Sequence, residues 1–333
     1  MKNKKKILIT GGNGYIGSCL SLRLEKKFLI TIIDKKIRSK LLSKKLKYYK
    51  IDLKDKNKLL KLLIIIKPDI VIHLAGQSTI DMVEKKRESY YLDNYIATKN
   101  LIECIKKLNI PNLIFSSTAA VYKQRKQKLS EKSNLYSSNE YGLSKIKCES
   151  EIKNLGNYNT KYCILRFFNV SSSIVKYKIG EFHNPETHLI PIIVNSTQKN
   201  KDINIYGNNY KTKDGTCLRD YIHILDIVRG IEKSIKYLIK KNTKSQIFNL
   251  GSGTSYSVKE VINCSFKILN KNTKVNFLKK RKYDSPKLVC NIEKARNILG
   301  WKPLYSNIEK IIKDEIWWYN YLKKNNYNRK FIY

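Results

Sequence analysis

Tyr141 and Lys145 are the two side chains of this sequence best placed for proton transfer, because residues four apart share one face of a helix. A free tyrosine titrates at a pH of about 10, too high for a base at neutral pH. A nearby ammonium group favours the phenolate and lowers the pKa of the tyrosine. The pair is therefore a candidate acid–base centre. Thr118, upstream at the end of an apolar segment, offers a hydroxyl that can hydrogen-bond beside the tyrosine.

A glycine-rich turn comes directly before the first helical pattern, with Gly11, Gly14 and Gly17 spaced three apart. Glycine permits a tight turn and lets backbone N–H groups approach a pyrophosphate, and the N-terminus of the following helix adds partial positive charge. Asp34 ends the second apolar segment. Its carboxylate can accept hydrogen bonds from both hydroxyls of an adenosine ribose and would repel a 2′-phosphate. The turn and the acid together predict an NAD site.

Three neighbouring residues qualify that prediction. Lys35 and Arg38 follow the acid, and their positive charge would tolerate a phosphate group, which works against the selection of NAD over NADP. Asp52 ends the third apolar segment and is a candidate to bind the adenine amino group. An ordinary cap at the end of a strand is the alternative interpretation of Asp52.

Short apolar segments alternate with helical patterns along the first half of the chain. Strands are predicted at 6–10, 29–33, 48–51, 70–74, 113–115 and 162–165, and helices at 15–27, 56–66, 91–108 and 141–155. This alternation predicts an α/β protein with a doubly wound parallel sheet, Rossmann-like, covered on both faces. We expect an NAD-binding domain over 1–170 and a smaller α/β substrate-binding lobe over 171–333, with segments at about 217–250 returning to the first domain.

The charge of the chain is strongly positive, with 67 Lys and Arg against 27 Asp and Glu and a formal net charge of +40. Such a balance raises nucleic-acid binding as a hypothesis, because phosphate contacts dominate that affinity. The lysines are spread along the whole chain, however, and Asn, Ile and Tyr, whose codons are also AT-rich, are abundant. We therefore expect compositional drift of the surface and no specific nucleic-acid partner, while the charge still attracts anionic substrates.

Other features of the composition favour a globular cytoplasmic protein. Apolar residues make up 42% of the chain, enough for a core, which excludes a disordered protein. The seven cysteines are odd in number and form no CxxC pair, and the four histidines show no metal-ligand spacing, so we expect neither disulfides nor a metal. No apolar run approaches the roughly 20 residues of a membrane span, and the N-terminal one is too short for a signal peptide.

Six motifs appear in an order and spacing that resemble a known family. They are the glycine turn, Leu74-Ala75-Gly76, Phe115-Ser116-Ser117-Thr118, Tyr141-x-x-x-Lys145, Leu165-Arg166-Phe167-Phe168-Asn169 and Arg219-Asp220-Tyr221-Ile222-His223. From about residue 6 to about residue 320 the chain resembles the extended short-chain dehydrogenases/reductases and, within them, the UDP-glucose 4-epimerase family. The resemblance implies NAD as cofactor, a UDP-sugar as substrate and a homodimer built on helices 91–108 and 141–155.

The resemblance also implies residue roles. Tyr141 would be the base on the sugar 4-hydroxyl, Lys145 would hold the nicotinamide ribose, and Thr118 would bind the sugar oxygen as it becomes a carbonyl. The cofactor site would comprise Gly11, Gly14, Tyr15, Ile16, Gly17, Asp34, Asp52, Leu53, Leu74, Ala75, Gly76, Ser78, Asp93, Tyr141, Lys145 and Phe168. The substrate site would comprise Thr118, Asn169, His188, Leu189, Tyr206, Arg219 and Arg281.

Two positions after the strand-end threonine separate the reactions of the related enzymes. Dehydratases of the family carry Asp-Glu there, and decarboxylating relatives keep a Glu, because elimination needs an acid–base pair. Here the residues are Ala119 and Ala120. The implied reaction is therefore reversible inversion at C4 of UDP-glucose and UDP-galactose, through transient oxidation to a 4-keto sugar.

The chain departs from the family pattern at several positions. Lys123 stands where the family often has glycine, and Ser78 stands where close relatives have a lysine that contacts the cofactor. An asparagine that contacts NAD falls at Asp93, beside Asn94, if the alignment has no gap. The sugar-binding asparagine of some relatives falls at His188.

Alternative functions remain open at this stage. Leu288 lies where a residue that limits the size of the sugar pocket falls, and leucine is smaller than tyrosine but larger than cysteine. Epimerisation of UDP-N-acetylhexosamines or UDP-uronic acids is therefore an alternative. A non-catalytic protein that binds cofactor or nucleic acid is a further one, against which the intact set of Tyr141, Lys145 and Thr118 argues.

Overall fold

The computed structural model describes residues 4–40, 42–78, 87–123, 127–182, 185–281 and 284–325. The strands within these ranges are β1 (Lys6–Thr10), β2 (Leu29–Asp34), β3 (Lys47–Lys50), β4 (Ile70–His73), β5 (Asn112–Thr118), β6 (Lys161–Phe167), β7 (Asn169–Ser171), β8 (Ser173–Ile174), β9 (Ile179–Gly180), β10 (Ile203–Tyr206), β11 (Leu218–Arg219), β12 (Tyr221–His223), β13 (Gln246–Leu250), β14 (Tyr256–Ser257), β15 (Val275–Leu278) and β16 (Lys287–Leu288).

Helices connect these strands and cover them. They are α1 (Tyr15–Leu24), α2 (Lys56–Ile66), α3 (Arg87–Tyr90), α4 (Ala97–Lys107), α5 (Glu140–Lys153), α6 (Leu189–Gln198), α7 (Ile224–Ile239), α8 (Val258–Leu269), α9 (Glu293–Leu299) and α10 (Ile308–Lys324). A π-helical segment, Tyr91–Ile96, joins α3 to α4. The single helix predicted at 91–108 is therefore divided, because one turn of it takes the wider π geometry.

The central sheet has seven parallel strands in the order β13-β6-β5-β4-β1-β2-β3. The predicted fold class, a doubly wound parallel sheet, is confirmed. β4 is buried along its whole length and β1 at every residue but its first, as strands covered on both faces must be. One face carries the apolar side chains of α1 and α7, and the other carries those of α2, α4 and α5.

The second half of the chain contributes to this sheet as well as forming its own core. β13 pairs with β6 at the edge of the sheet, and α7 packs beside α1. α6, α8 and α10 enclose a separate apolar cluster with β10. The boundary near residue 170 stays a prediction, because segments from both halves are interleaved.

The strand order reverses between β1 and β4, so the loops that follow these two strands leave the sheet in opposite directions. In open α/β sheets, ligands bind in the crevice that opens at such a reversal. The glycine turn follows β1, and Leu74-Ala75-Gly76 follows β4. The sheet therefore brings two of the predicted cofactor segments to one edge.

A buried ion pair attaches α5 to the sheet. The guanidinium of Arg166 on β6 donates from Nε and Nη2 to the two carboxylate oxygens of Glu149 on α5, at 2.9 and 2.6 Å. Glu149 also accepts from the Ser117 hydroxyl at 2.6 Å, and Arg166 donates to the Tyr122 hydroxyl at 2.9 Å. Both charges are almost fully buried. Each is satisfied by its partner, so the orientation of α5 on β5 and β6 is fixed.

Removal of one member of this pair tests its importance. We expect Glu149→Ala to lower the free energy of unfolding by about 3–5 kcal/mol, because it leaves the Arg166 charge buried without its partner. Chemical denaturation followed by circular dichroism measures this. Glu103→Ala removes a partly exposed glutamate of α4 that pairs with Lys56 of α2 and is the matched control, expected to cost about 1 kcal/mol or less. Equal losses in the two variants would contradict the assigned role.

Candidate active site

The glycine turn is built by close packing of backbone on backbone. Gly11 has φ +68°, and a Cβ there would lie 2.6 Å from the backbone of Ala75. A Cβ at Gly17 would lie 2.4 Å from the carbonyl oxygen of Gly11. Gly14 differs, since among the described residues its Cβ would meet nothing nearer than that oxygen, at 3.4 Å. Gly14 also begins α1 without a side-chain cap, which leaves the helix N-terminus open. This opening fits an anionic pyrophosphate.

Asp34 and Asp52, the two acids predicted to bind the adenosine of NAD, lie beside this turn. Asp34 accepts from the backbone N–H of Asn13 at 3.1 Å and of Lys36 at 3.0 Å, so its carboxylate is held beside the glycine turn. Asp52 accepts from the backbone N–H of Lys54 at 2.9 Å, which is also what a cap at a strand end would do. Leu53 is buried in the apolar layer beneath. Asp34 ends β2 and Asp52 follows the end of the neighbouring strand β3, so the two acids lie at the same edge of the sheet.

Tyr141, Lys145 and Thr118 meet at the carboxyl end of β5. The ammonium of Lys145 donates to the carbonyl oxygen of Ser116 at 3.0 Å and lies 4.7 Å from the ring centroid of Phe115. The Thr118 hydroxyl lies near enough to the Tyr141 hydroxyl to lower the pKa of that phenol. α5 presents the tyrosine and the lysine on one face, as their spacing predicts.

Burial dominates the electrostatics of this group. It raises the pKa of Tyr141 to about 12, against a smaller lowering by the hydrogen bond from Thr118, and it lowers the pKa of Lys145. The protein alone thus keeps the phenol protonated at neutral pH. For this phenol to act as a base, further positive charge is needed nearby, and the nicotinamide of bound NAD would supply it.

The π-helical segment changes which residue faces the catalytic group. Asn94 is buried and accepts from the backbone N–H of Gln77 at 2.7 Å, while its amide donates to the Ser144 hydroxyl at 3.0 Å. A Cβ on Gly76 would lie 2.6 Å from its oxygen. Asp93 points elsewhere, toward Lys35, Lys54 and Gln77. The sequence prediction named Asp93, with Asn94 beside it, and the structure turns Asn94 toward Ser144 and Asp93 toward the two lysines.

Several other predicted cofactor residues surround the same crevice. Phe168 is buried beside Ala119, and its backbone N–H donates to Leu250 at 3.0 Å. The Tyr15 hydroxyl donates to the carbonyl oxygen of Ser172 at 2.5 Å. Ile16 and Leu74 pack against one apolar layer of the sheet, whereas Ser78 is exposed.

The predicted nucleotide-binding residues come from three separate strands and one loop. Asn169 donates to the carbonyl oxygen of Asp220 at 2.9 Å, because β7 pairs with β12. Arg219 donates to Ser285 at 2.6 Å and lies 3.3 Å from Asp284. The guanidinium of Arg281 stacks 3.8 Å from the ring centroid of Tyr206.

Some hydrogen-bond donors of these predicted nucleotide-binding residues have no acceptor among the described residues. The Nε–H of Arg281 is buried and has no acceptor within the described ranges. A buried guanidinium N–H without an acceptor is costly in the protein alone and fits an anionic ligand. Tyr206 has one ring face against Arg281 and remains about a third exposed, so an aromatic surface is also presented there.

His188 lies at the start of α6, directly before Leu189, and its imidazole turns toward two glutamates. Nδ1 lies 2.9 Å from Glu181 and 3.3 Å from Glu186. Burial lowers the pKa of His188, but the two carboxylates outweigh burial and raise it to about 10. The three ligand atoms lie within 4.8 Å of one another, a spacing that a metal ion also uses, and a metal ion would have to displace the imidazole proton to bind there.

Residues 7–251 match the NAD dependent epimerase/dehydratase family. The chain belongs to this family. The resemblance expected from the motifs is confirmed, and NAD is the cofactor. No helix of the described residues is both long and apolar enough to cross a membrane.

Several known proteins are similar to this chain over nearly their whole length. The UDP-glucose 4-epimerase of Mycoplasma genitalium is 36% identical over 327 residues, covering 94% of this chain and 95% of that protein. The solved UDP-Glc/GlcNAc 4-epimerase of Campylobacter jejuni is 34% identical with a TM-score of 0.82, covering 95% and 99%. The solved UDP-glucose 4-epimerase of Bifidobacterium longum, in complex with NAD+ and UDP, is 27% identical with a TM-score of 0.87, covering 97% and 99%.

Glu315 of α10 adds a buried acid beside His188 that the sequence did not reveal. Its Oε2 has no hydrogen-bond partner among the described residues, and burial, together with the neighbouring Glu181 and Glu186, raises its pKa well above the usual value. The folded protein therefore keeps the proton over a pH range in which the unfolded chain releases it. Stability consequently falls as the pH rises above about 4.5.

We expect Glu315→Gln to remove the loss of stability that Glu315 causes as the pH rises. At about pH 8 the variant should be more stable than the parent protein by about 1–3 kcal/mol, and at about pH 5 the difference should shrink. Denaturant unfolding at the two pH values measures it. Glu309→Gln, an exposed acid on the same helix, is the control and should change stability equally at both pH values. A difference that grows toward low pH would contradict the assigned protonation of Glu315.

Proposed function

We propose that the protein catalyses the reversible C4 epimerisation of UDP-glucose and UDP-galactose. The observation that carries this proposal is the group of Tyr141, Lys145 and Thr118 beside an open glycine turn, followed by Ala119 and Ala120. Tyr141 can transfer a proton in this group. Ala119 and Ala120 carry no carboxylate, so they cannot provide the acid–base pair that elimination of water needs. A sugar that has been oxidised at C4 is therefore reduced again at the same carbon.

Each residue of the group has a role in this reaction. Tyr141 takes the proton of the sugar 4-hydroxyl, and Thr118 hydrogen-bonds the oxygen as it becomes a carbonyl. Lys145 holds the nicotinamide ribose and favours the phenolate. Bound NAD supplies hydride acceptance and return at C4. Because the dinucleotide is regenerated in every cycle, it stays bound as a prosthetic group.

The nucleotide end of the substrate is held separately from the sugar. Arg219 and Arg281 bind the diphosphate, Asn169 and Leu189 contact the substrate from β7 and α6, and Tyr206 lies near the uracil. The Nε–H of Arg281, for which the described ranges provide no acceptor, supports this assignment. A tightly held nucleotide and a loosely held sugar allow the keto intermediate to turn, so that hydride returns to its other face.

Leu288 favours a second candidate activity, epimerisation of UDP-N-acetylhexosamines. It is half-buried, and it packs against the cluster that contains Ala119 and Phe168, beside the catalytic group. A leucine here leaves more room than a tyrosine. The similar Campylobacter jejuni protein bears the name of a UDP-Glc/GlcNAc 4-epimerase, which supports this candidate.

An assay with UDP-galactose, UDP-N-acetylglucosamine and UDP-glucuronate tests the proposal. We expect conversion of UDP-galactose to UDP-glucose, and the corresponding C4 epimer of any N-acetyl substrate that is accepted. Leu288→Tyr fills the pocket, so it should lower kcat/KM for the N-acetyl substrate by about tenfold or more and change that for UDP-galactose little. No turnover of UDP-galactose by the parent protein would refute the proposed activity.

Tyr141→Phe tests the assignment of the base. It removes only a hydroxyl, so the fold, the NAD content and the affinity for UDP should persist while turnover falls by at least about a hundredfold. Lys145→Ala should also lower turnover, but it should shift the pH optimum upward, because the phenolate loses a stabilising charge. Tyr136→Phe makes the same change at an exposed tyrosine and is the control. If Tyr141→Phe kept more than about a tenth of the activity, Tyr141 would not be the base.

The protein is also proposed to be a cytoplasmic homodimer. All seven cysteines are free thiols, which supports a reducing compartment. The π segment and α5 present Tyr91 and Leu143 to solvent, and these apolar side chains support a contact between two copies. Light scattering at moderate salt measures the oligomeric state.

A further inference from the structure

Asp93 binds two lysine side chains at the adenosine end of the cofactor crevice. Its Oδ2 accepts from the ammonium of Lys35 at 2.8 Å and from the side-chain amide of Gln77 at 2.9 Å, and its Oδ1 lies 3.2 Å from the ammonium of Lys54. The Asp93 side chain is only 12% exposed. Burial raises its pKa, but these hydrogen bonds outweigh burial and lower it to about 2, so the group is ionised at neutral pH.

The two lysines lie close in sequence to Asp34 and Asp52, the two acids of the adenosine site. Lys35 directly follows Asp34 at the end of β2, and Lys54 comes two residues after Asp52. In this fold, NADP-binding proteins place a cation near that strand end to accept the 2′-phosphate. The chain therefore carries, next to its NAD-selecting Asp34, lysines that have the charge and the position to bind NADP.

The net positive charge of the whole protein affects the choice between NAD and NADP. A net charge of +40 attracts anions, and NADP carries one more phosphate than NAD. Selection of the less charged dinucleotide therefore needs a local feature that opposes the general field. Three further cations follow Lys35 closely. Arg38 donates to the Ser43 carbonyl oxygen and lies 6.0 Å from the ring centroid of Tyr48, whereas Lys36 and Lys40 are exposed and add to the general positive field.

We propose that Asp93 is a specificity-determining residue for NAD, which binds Lys35 and Lys54 and so keeps their ammonium groups from a 2′-phosphate. The π-helical segment makes this possible, because its wider turn directs Asn94 toward the catalytic group while Asp93 faces the lysines. Asp93 acts through the lysines and supplements the repulsion that Asp34 exerts directly.

Competition between the two dinucleotides tests the proposal. Purified protein is first stripped of its resident dinucleotide, then incubated with NAD and a large excess of NADP and desalted, and the dinucleotides released from it are quantified. We expect Asp93→Asn, which keeps the shape and the amide contact, to raise the bound NADP:NAD ratio by about tenfold or more. The effect should shrink at high salt, because it arises from charge.

Two further variants show whether the lysine is the mediator. Adding Lys35→Gln to Asp93→Asn should return the ratio most of the way toward that of the parent protein. Lys35→Gln alone should leave the ratio unchanged, because Asp93 already occupies that ammonium. Asp202→Asn makes the same charge change at an exposed residue bound to Asn276 and should also leave the ratio unchanged.

The dinucleotide ratio shows whether Asp93 determines selectivity for NAD or only stabilises the π-helical segment. If Asp93 only braced the π segment, Asp93→Asn would reduce the content of both dinucleotides alike and leave their ratio unchanged, and the proposal would be overturned. A tenfold fall in the ratio for Lys35→Gln alone would overturn it too, since Lys35 would then be serving NADP in spite of Asp93. The latter measurement does not depend on the stability of any Asp93 variant.

Discussion

The ion pair between Arg166 and Glu149 is the interaction on which the site depends. Glu149 lies one helical turn after Lys145 on α5, so the contact that fixes this carboxylate against β6 also fixes the lysine and Tyr141 against the end of β5. Two charges buried together are stable only with nearly ideal geometry. Small displacements of α5 therefore cost energy, and the distance between the tyrosine and Thr118 is held by the interior of the protein rather than by the catalytic residues themselves.

Buried acids organise the rest of a strongly basic chain in the same way. Asp220 accepts from the backbone N–H of Ser252, Gly253 and Cys290 and thereby holds the strand that carries Arg219 against the end of β13. Burial raises the pKa of Asp220 to about 6 in spite of these hydrogen bonds. The excess lysines remain largely at the surface, where they attract anionic ligands without selecting among them. Selectivity comes from the few acids in defined positions.

Local patterns predicted much of this arrangement, and long-range packing produced the rest. The glycine turn and the spacing of Tyr141 and Lys145 are visible in sequence because each depends on a single strand, turn or helix. The position of Asn94 is not, because one π turn shifts the register of a helix without any signal in composition. The cluster of His188 and Glu315 was missed since it forms only when α10, more than a hundred residues away, packs against the start of α6.

The fate of the C4 hydrogen tests the proposed reaction most directly. UDP-galactose labelled with deuterium at C4 can be converted in ordinary water and the product analysed by mass spectrometry and NMR. If hydrogen is removed and returned within one closed site, UDP-glucose keeps the deuterium at C4 with inverted configuration. We predict that retention. Exchange of the label with solvent, or inversion at any other carbon, would contradict the proposed function.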